Sequence, residues 1–94
     1  MLNERIRILR QSLSMSQVEL ANKLGVTKQS VSNWENDNIQ PSIEMLVKIS
    51  KVFCVSTDYL LGLDDKKYIE VSNLPQEVVS HLQLIINDIK NHHD

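Results

Sequence analysis

The sequence predicts an all-α protein made of five short helices followed by one additional amphipathic helix. Apolar residues recur three and four positions apart along most of the 94 residues. Serine or threonine precedes several of these apolar runs, where helices prefer a side-chain cap. Both glycines come directly after such a run, as they do at helix ends. These signals predict helices separated by short turns.

The first predicted helix covers residues 2–13. Its apolar residues lie four, three and four apart and are expected to face the core: Leu2, Ile6, Leu9 and Leu13. Arg5 and Arg7 are expected to be solvated.

Residues 16–36 predict two more short helices joined by a tight turn. Ser16 and Glu19 have the spacing of a capping box, Gly25 can take the left-handed conformation that ends a helix, and Thr27 caps the next helix. Apolar residues flank the glycine at helical spacing: Leu20, Ala21, Leu24, Val31 and Trp34. This order of small, flexible and apolar positions is typical of a helix-turn-helix unit. An αα-hairpin without a role in DNA binding uses similar parts.

A fourth helix is predicted over residues 42–53 and a fifth over 57–61, with Ser42 and Ser56 as caps. The fourth carries an apolar stripe of Ile43, Leu46, Ile49 and Phe53. Cys54 stands where glycine or asparagine is usual, so it either accepts a strained conformation or the helix ends differently. Three apolar residues near the fifth helix are expected to close the core: Val55, Leu60 and Leu61.

Residues 63–73 are expected to form a linker, and residues 74–94 a terminal helix with Pro75 in its first turn. Its apolar stripe is wider than a free tail leaves in water, and it is expected to form a dimer interface: Val78, Leu82, Ile85, Ile86 and Ile89. The same stripe could instead fold back on its own domain.

Several segments together resemble the Cro and phage-repressor type of helix-turn-helix, a family that includes many small bacterial regulators. They are Arg10, SQVELANKLGVTKQSVSNWEN (16–36), QPSIEMLVKISKVF (40–53) and VSTDYLLG (55–62). The resemblance covers about two thirds of the chain and leaves out residues 63–94. It implies a lambda-repressor-like, five-helix DNA-binding domain at residues 1–62. It also implies that Arg10 pairs with Glu35 and ties the first helix to the third.

The polar face of the third helix is the candidate site for reading bases. Lys28, Gln29, Ser32, Asn33 and Asn36 point away from the apolar positions of that helix, and such side chains can bond base edges in the major groove. In the family that the chain resembles, base contacts come mainly from positions matching Lys28, Gln29 and Asn33, with Ser32 close by. Taken alone, each of these residues could also belong to a merely solvated face.

Phosphate contacts are expected on either side of these residues. In the resembled family, the position of Gln17 meets phosphate and can brace the recognition helix. The other candidates are polar side chains near helix ends: Ser30, Asn36, Asn38 and Gln40.

The charge is small for a DNA-binding protein. The net charge is −2, with seven Lys/Arg against six Asp/Glu in residues 1–61 and three against six in residues 62–94. Affinity is therefore expected to depend on a few placed contacts and on dimerisation rather than on bulk attraction.

Other functional classes find little support. Only two glycines are present, so no phosphate-binding loop is available, and no nucleophile and base arrangement or metal-ligand spacing is found. We therefore expect no enzyme, no metal and no cofactor. A charged N-terminus, a single cysteine and the lack of a membrane-length apolar run favour a cytoplasmic protein. The family resemblance implies a bacterial or phage origin.

The sequence thus predicts a homodimeric, sequence-specific regulator of double-stranded DNA, acting as a repressor on a near-palindromic operator. The alternative is a protein-interaction module, antirepressor-like or antitoxin-like, that acts through the terminal helix. A protein antagonist is a further candidate partner.

Overall fold

A computed structural model describes residues 1–92 of the chain, so the final two residues of the predicted terminal segment, 93 and 94, lie outside it. The all-α prediction is confirmed, and residues 1–92 contain no strand. The six helices are α1 (Leu2–Ser12), α2 (Gln17–Leu24), α3 (Lys28–Glu35), α4 (Ile43–Phe53), α5 (Thr57–Leu61) and α6 (Gln76–Asn91). None of these helices is long and apolar enough to cross a membrane.

The predicted caps start the helices from α2 to α5. Each hydroxyl accepts a hydrogen bond from the backbone N–H three residues on: Ser16 from Glu19, Thr27 from Ser30, Ser42 from Met45 and Ser56 from Tyr59. Glu19 completes the capping box by accepting from the Ser16 N–H at 3.2 Å. Pro75 caps α6 without a side-chain bond, and so precedes the helix rather than lying in its first turn.

The helices from α1 to α5 all end with one residue at positive φ, followed by a backbone bond that closes the last turn. The five residues are Ser14, Gly25, Asp37, Cys54 and Gly62. In each case the next N–H donates to the carbonyl five positions earlier, at 2.9–3.0 Å. This is the Schellman motif. Cys54 therefore accepts the left-handed conformation, at φ 55°.

The core lies between α1, α2, α3, α4 and α5, and it is mostly aliphatic. Its buried members are Ile6, Leu20, Ala21, Leu24, Val31, Trp34, Ile49, Phe53 and Leu60. The prediction was wrong for three apolar residues at helix ends: Leu13, Ile43 and Leu61 are 56%, 82% and 40% exposed. Periodicity identifies the inward face of a helix, but it does not say how far along that face a neighbouring helix extends.

Arg5 also differs from its prediction, because it is held against the domain rather than solvated. Its guanidinium lies 4.3 Å from the centre of the Tyr59 ring, within range of a cation–π contact. It donates to the carbonyls of Tyr59 and Asp64 and to the carboxylate of Asp65. Arg5 thereby fixes the start of the segment that follows α5.

The segment between α5 and α6 runs back along the domain, and α6 then projects from it. The N–H of Glu70 donates to the carbonyl of Cys54 at 3.0 Å. No residue of α6 is buried, although Leu82 borders an apolar groove of about 700 Å³ beside Cys54. The division into a domain at 1–62, a linker at 63–73 and a terminal helix at 74–94 stays a prediction.

Candidate nucleic-acid interface

The turn between α2 and α3 fixes the angle at which α3 meets the rest of the domain. Gly25 has φ 71°, a conformation that costs other residues about 1–2 kcal/mol. Val26 donates to the carbonyl of Ala21 at 3.0 Å and closes the turn. Val31 and Trp34 then bury the inner side of α3, at 0% and 7% exposure. The opposite side of α3 consequently faces outward.

The outward side of α3 carries the four residues predicted to read bases. Lys28 and Gln29 are exposed, while Ser32 and Asn33 are partly buried. The amide nitrogen of Gln29 donates to the side-chain oxygen of Asn33 at 3.0 Å. This bond leaves the Gln29 oxygen free to accept a hydrogen bond and the Asn33 amino group free to donate one. Together the two groups match the N6 donor and N7 acceptor of adenine.

Glu35, at the end of α3, is a buried charge with several partners. Its side chain is 2% exposed and accepts two bonds from Arg10, from Nε at 2.6 Å and from Nη2 at 2.9 Å. The amide of Gln17 adds a third bond at 3.2 Å. The hydrogen bonds to this carboxylate raise the pKa of Arg10 despite its burial. The Arg10–Glu35 pair implied by the family resemblance is thus present and joins α1 to α3, and the Gln17 bond adds α2.

The backbone carbonyl of Glu35 is also held, which the sequence did not predict. Arg7 donates to it at 2.6 Å and Asn3 at 3.5 Å. A carbonyl in the last turn of a helix lacks an intrahelical donor, so a cation there is favourable. The expectation of a solvated Arg7 was therefore wrong in part, although its side chain is still 41% exposed. A bond between residues this far apart in sequence could not be predicted from local sequence patterns.

The residues predicted to meet phosphate lie around both ends of α3 and at the start of α2. Ser30 lies in the first turn of α3, with its hydroxyl 3.1 Å from that of Thr27. Asn36, Asn38 and Gln40 are exposed at and beyond the end of α3, and Asn36 donates to Ser32 at 3.2 Å. The Gln17 side chain is directed to Glu35, so its backbone N–H, in the first turn of α2, is the group better placed for an anion. The role of these residues stays a prediction.

The cations of residues 1–61 divide into two groups. The three arginines bond to protein groups: Arg5 near the end of α5, and Arg7 and Arg10 at Glu35. The four lysines are exposed: Lys23, Lys28, Lys48 and Lys51. The charge available to a polyanion thus comes mainly from these lysines and is smaller than the composition suggests.

Comparison with known proteins identifies the family to which the chain belongs. A family model described as Helix-turn-helix matches residues 6–60, more than half of the chain and all of α2 and α3. The chain belongs to the helix-turn-helix family of the Cro and phage-repressor type. The family consists of DNA-binding transcriptional regulators rather than enzymes.

Two relatives cover the five-helix domain. The transcriptional regulator ImmR of Bacillus subtilis is 41% identical over 64 residues, which is 68% of this chain and 50% of ImmR. The c2 repressor of Salmonella phage P22, in a crystal structure with a synthetic operator, is 38% identical at a TM-score of 0.65. That match covers 68% of this chain and 97% of the crystallised chain. The chain spans about half the length of ImmR and 30% of the whole P22 repressor.

A third relative extends the likeness through α6. SinR of Bacillus subtilis, crystallised with DNA, is 40% identical over 65% of this chain and 98% of that chain, at a TM-score of 0.61. SinR in its complex with the SinI protein is 29% identical, covering 99% of this chain and 82% of that chain, at a TM-score of 0.62. This match therefore includes the terminal helix α6, whereas the matches to the other two relatives cover only the five-helix domain.

Proposed function

We propose that this protein is a sequence-specific, double-stranded-DNA-binding transcriptional regulator that acts as a repressor on a near-palindromic operator as a homodimer. One observation carries the proposal: α3 is fixed to the domain by the Glu35 contacts while its outward side presents amide, hydroxyl and ammonium groups. A rigid helix with such a surface suits the major groove. Relatives whose crystal structures contain DNA share this domain.

The proposed contacts divide into two kinds. Lys28, Gln29, Ser32 and Asn33 read base edges from the first two turns of α3, where a recognition helix touches the bases. Phosphate contacts come from Gln17, Ser30, Asn36, Asn38 and Gln40, and they position the helix without reading sequence.

Dimerisation compensates for the weak charge of one subunit. The four exposed lysines give a single domain little affinity at physiological salt, and two domains on one operator add their contacts. The proposed interface is the exposed apolar stripe of α6, where Ile85, Ile86 and Ile89 are 56%, 50% and 54% exposed. Val78 and Leu82, at 42% and 38%, continue the stripe toward the domain.

Selection of bound sites from random DNA tests the sequence preference and the symmetry. We expect an enriched motif of two inverted half-sites whose centres lie about 10 base pairs apart. A single asymmetric motif would refute the dimeric operator, and failure to enrich any motif would refute sequence-specific binding.

Two neighbouring residues of α6 provide a matched test of the interface. Ile85 lies on the proposed stripe, whereas Leu84, which is 65% exposed, lies off it. Light scattering should show that Ile85→Glu is a monomer and that Leu84→Glu is still a dimer. Equal behaviour of the two variants would place the interface elsewhere.

The alternative function is a protein-interaction module that acts through α6. It is favoured by the exposed stripe together with the likeness, over 99% of the chain, to SinR in a complex with another protein. Light scattering on the unaltered protein separates the two functions. A stable dimer supports the homodimeric repressor, and a monomer that enriches no DNA motif supports the interaction module.

A further inference from the structure

We infer that α6 pairs with α6 of a second copy in antiparallel order, with Val78 against Ile89 and Leu82 against Ile85 of the other copy. This inference rests on the proposed homodimer and adds the direction and the register of its helix pair. Nothing in the homodimer proposal itself requires either direction.

The spacing of the stripe is symmetric about its own midpoint. Val78 and Ile89 lie equally far from the point between Gln83 and Leu84, and so do Leu82 and Ile85. A two-fold axis through that point brings each member of a pair opposite its counterpart in the second copy. All four are large apolar residues that are 38–56% exposed, so the two layers bury apolar side chains on apolar side chains.

The flanks of the stripe also match in antiparallel order. Val79 and Ile86 lie on one flank and His81 and Asp88 on the other, each pair being two helical turns apart. An antiparallel two-fold axis sets each flank against the same flank of the other copy. Val79 then lies near Ile86 and His81 near Asp88, each pair offset by two residues, about 3 Å, along the helix axis. The Asp88 carboxylate can accept a hydrogen bond from the imidazole of His81. Parallel order instead sets the charged Asp88 flank against the apolar Ile86 flank.

The two halves of α6 differ in exposure in a way that suits this order. The first half contacts its own domain, since Val79 is partly buried and Leu82 borders the groove beside Cys54. The second half projects, with Ile85, Ile86 and Ile89 each at least 50% exposed. Antiparallel order places the exposed second half of α6 in one copy against the first half of α6 in the other. It also brings Ile86 and Ile89 to the groove, whose lining is largely apolar: Val55, Tyr68, Ile69, Val71, Leu74 and Leu82.

Disulfide formation between single-cysteine variants tests the direction. In a Cys54→Ser background, Val78→Cys and Ile89→Cys are prepared with different tags and oxidised singly and mixed. We expect a crosslinked dimer from the mixture and none from either variant alone, since antiparallel order separates like residues by about 16 Å, beyond the reach of a disulfide. Crosslinking of Val78→Cys with itself would overturn the inference and leave the homodimer intact. A monomeric Cys54→Ser protein in light scattering would overturn both.

A charge exchange gives a second test that does not require cysteines near the layers. His81→Glu sets two carboxylates side by side in antiparallel order and should raise the dimer Kd by about tenfold over its two symmetric contacts. Adding Asp88→Lys to His81→Glu should restore the Kd. In parallel order His81 of one copy and Asp88 of the other lie on opposite sides of the helix pair, so a double variant as weak as His81→Glu would overturn the inference.

Discussion

At the scale of single residues, the buried carboxylate of Glu35 links three helices, α1, α2 and α3. It accepts from Arg10 and Gln17, and its own backbone carbonyl accepts from Arg7 and Asn3. Such a group is costly to bury, and only its partners make burial tolerable. Its position at the end of α3 means that the same bonds hold the candidate recognition helix in place.

We predict that Glu35→Gln destabilises the protein by about 3 kcal/mol, because it leaves the guanidinium of Arg10 largely buried without a counter-charge. The side chain of Arg10 is 12% exposed. Urea unfolding measures the change, and Glu44→Gln, at an exposed site of α4, is the control with an expected loss of at most about 0.5 kcal/mol. Similar losses in both variants would show that the pair contributes no specific stability.

The left-handed residues allow a second prediction at this scale. Cys54 has φ 55° and an exposed side chain, so little packing depends on its identity. We predict that Cys54→Gly is more stable than Cys54→Ala by about 1 kcal/mol, since only glycine takes this conformation without steric cost. Thermal melts of the two variants make the comparison. Equal stability would mean that the backbone relaxes at this site.

At the scale of elements, α3 combines a buried inner side with an ordered polar outer side. The Gln29–Asn33 bond holds both amides in one arrangement before any ligand arrives. A side chain that is already ordered loses less entropy on binding. The outer side of α3 is therefore suited to read a particular base sequence rather than to meet a general polyanion.

We predict that Gln29→Ala or Asn33→Ala weakens binding to the preferred DNA by about 1–3 kcal/mol and to unrelated DNA much less. Gel-shift titrations on both DNAs measure the difference. Lys48→Ala, which removes an exposed cation of α4, serves as a control for general charge. Equal losses on the two DNAs would assign Gln29 and Asn33 to phosphate contacts.

At the scale of the whole molecule, a packed five-helix domain carries a terminal helix that adds nothing to its core. No residue of α6 is buried, whereas the segment before it is tied to the domain by Arg5 and by the Glu70–Cys54 bond. The apolar stripe of α6 therefore contributes little to the folding of the domain. The stripe is available for association, and its role can be tested by removing it.

We predict that removing residues 74–94 leaves the domain folded, with a melting midpoint changed by no more than about 5 °C, while operator binding weakens strongly. The loss follows from the missing dimer, because one domain makes half of the contacts. Circular dichroism melts and gel shifts measure the two effects. A chain ending at residue 62 should melt lower than one ending at residue 73, since it loses the Arg5 contacts to Asp64 and Asp65. Unchanged affinity in the shorter chain would mean that α6 only covers its own domain.

The sequence by itself determined the helices, because their signals are local. Hydroxyl caps at Ser16, Thr27, Ser42 and Ser56 act on N–H groups three residues away, and Gly25 and Gly62 need only their own backbone freedom. Periodicity also identified the outer side of α3, which lies opposite Val31 and Trp34, and the family resemblance then selected Lys28, Gln29 and Asn33 on that side as candidate base contacts.

Only the tertiary structure decided which groups meet across the chain. The bonds of Arg5 to residues near α5, and of Arg7 and Asn3 to the end of α3, join segments far apart in sequence. The exposure of Leu13, Ile43 and Leu61 likewise depends on where neighbouring helices stop. The left-handed ends at Ser14, Asp37 and Cys54 carry no glycine to mark them. Local signals determine where the helices form, and the free energy of packing the helices together determines which groups come into contact.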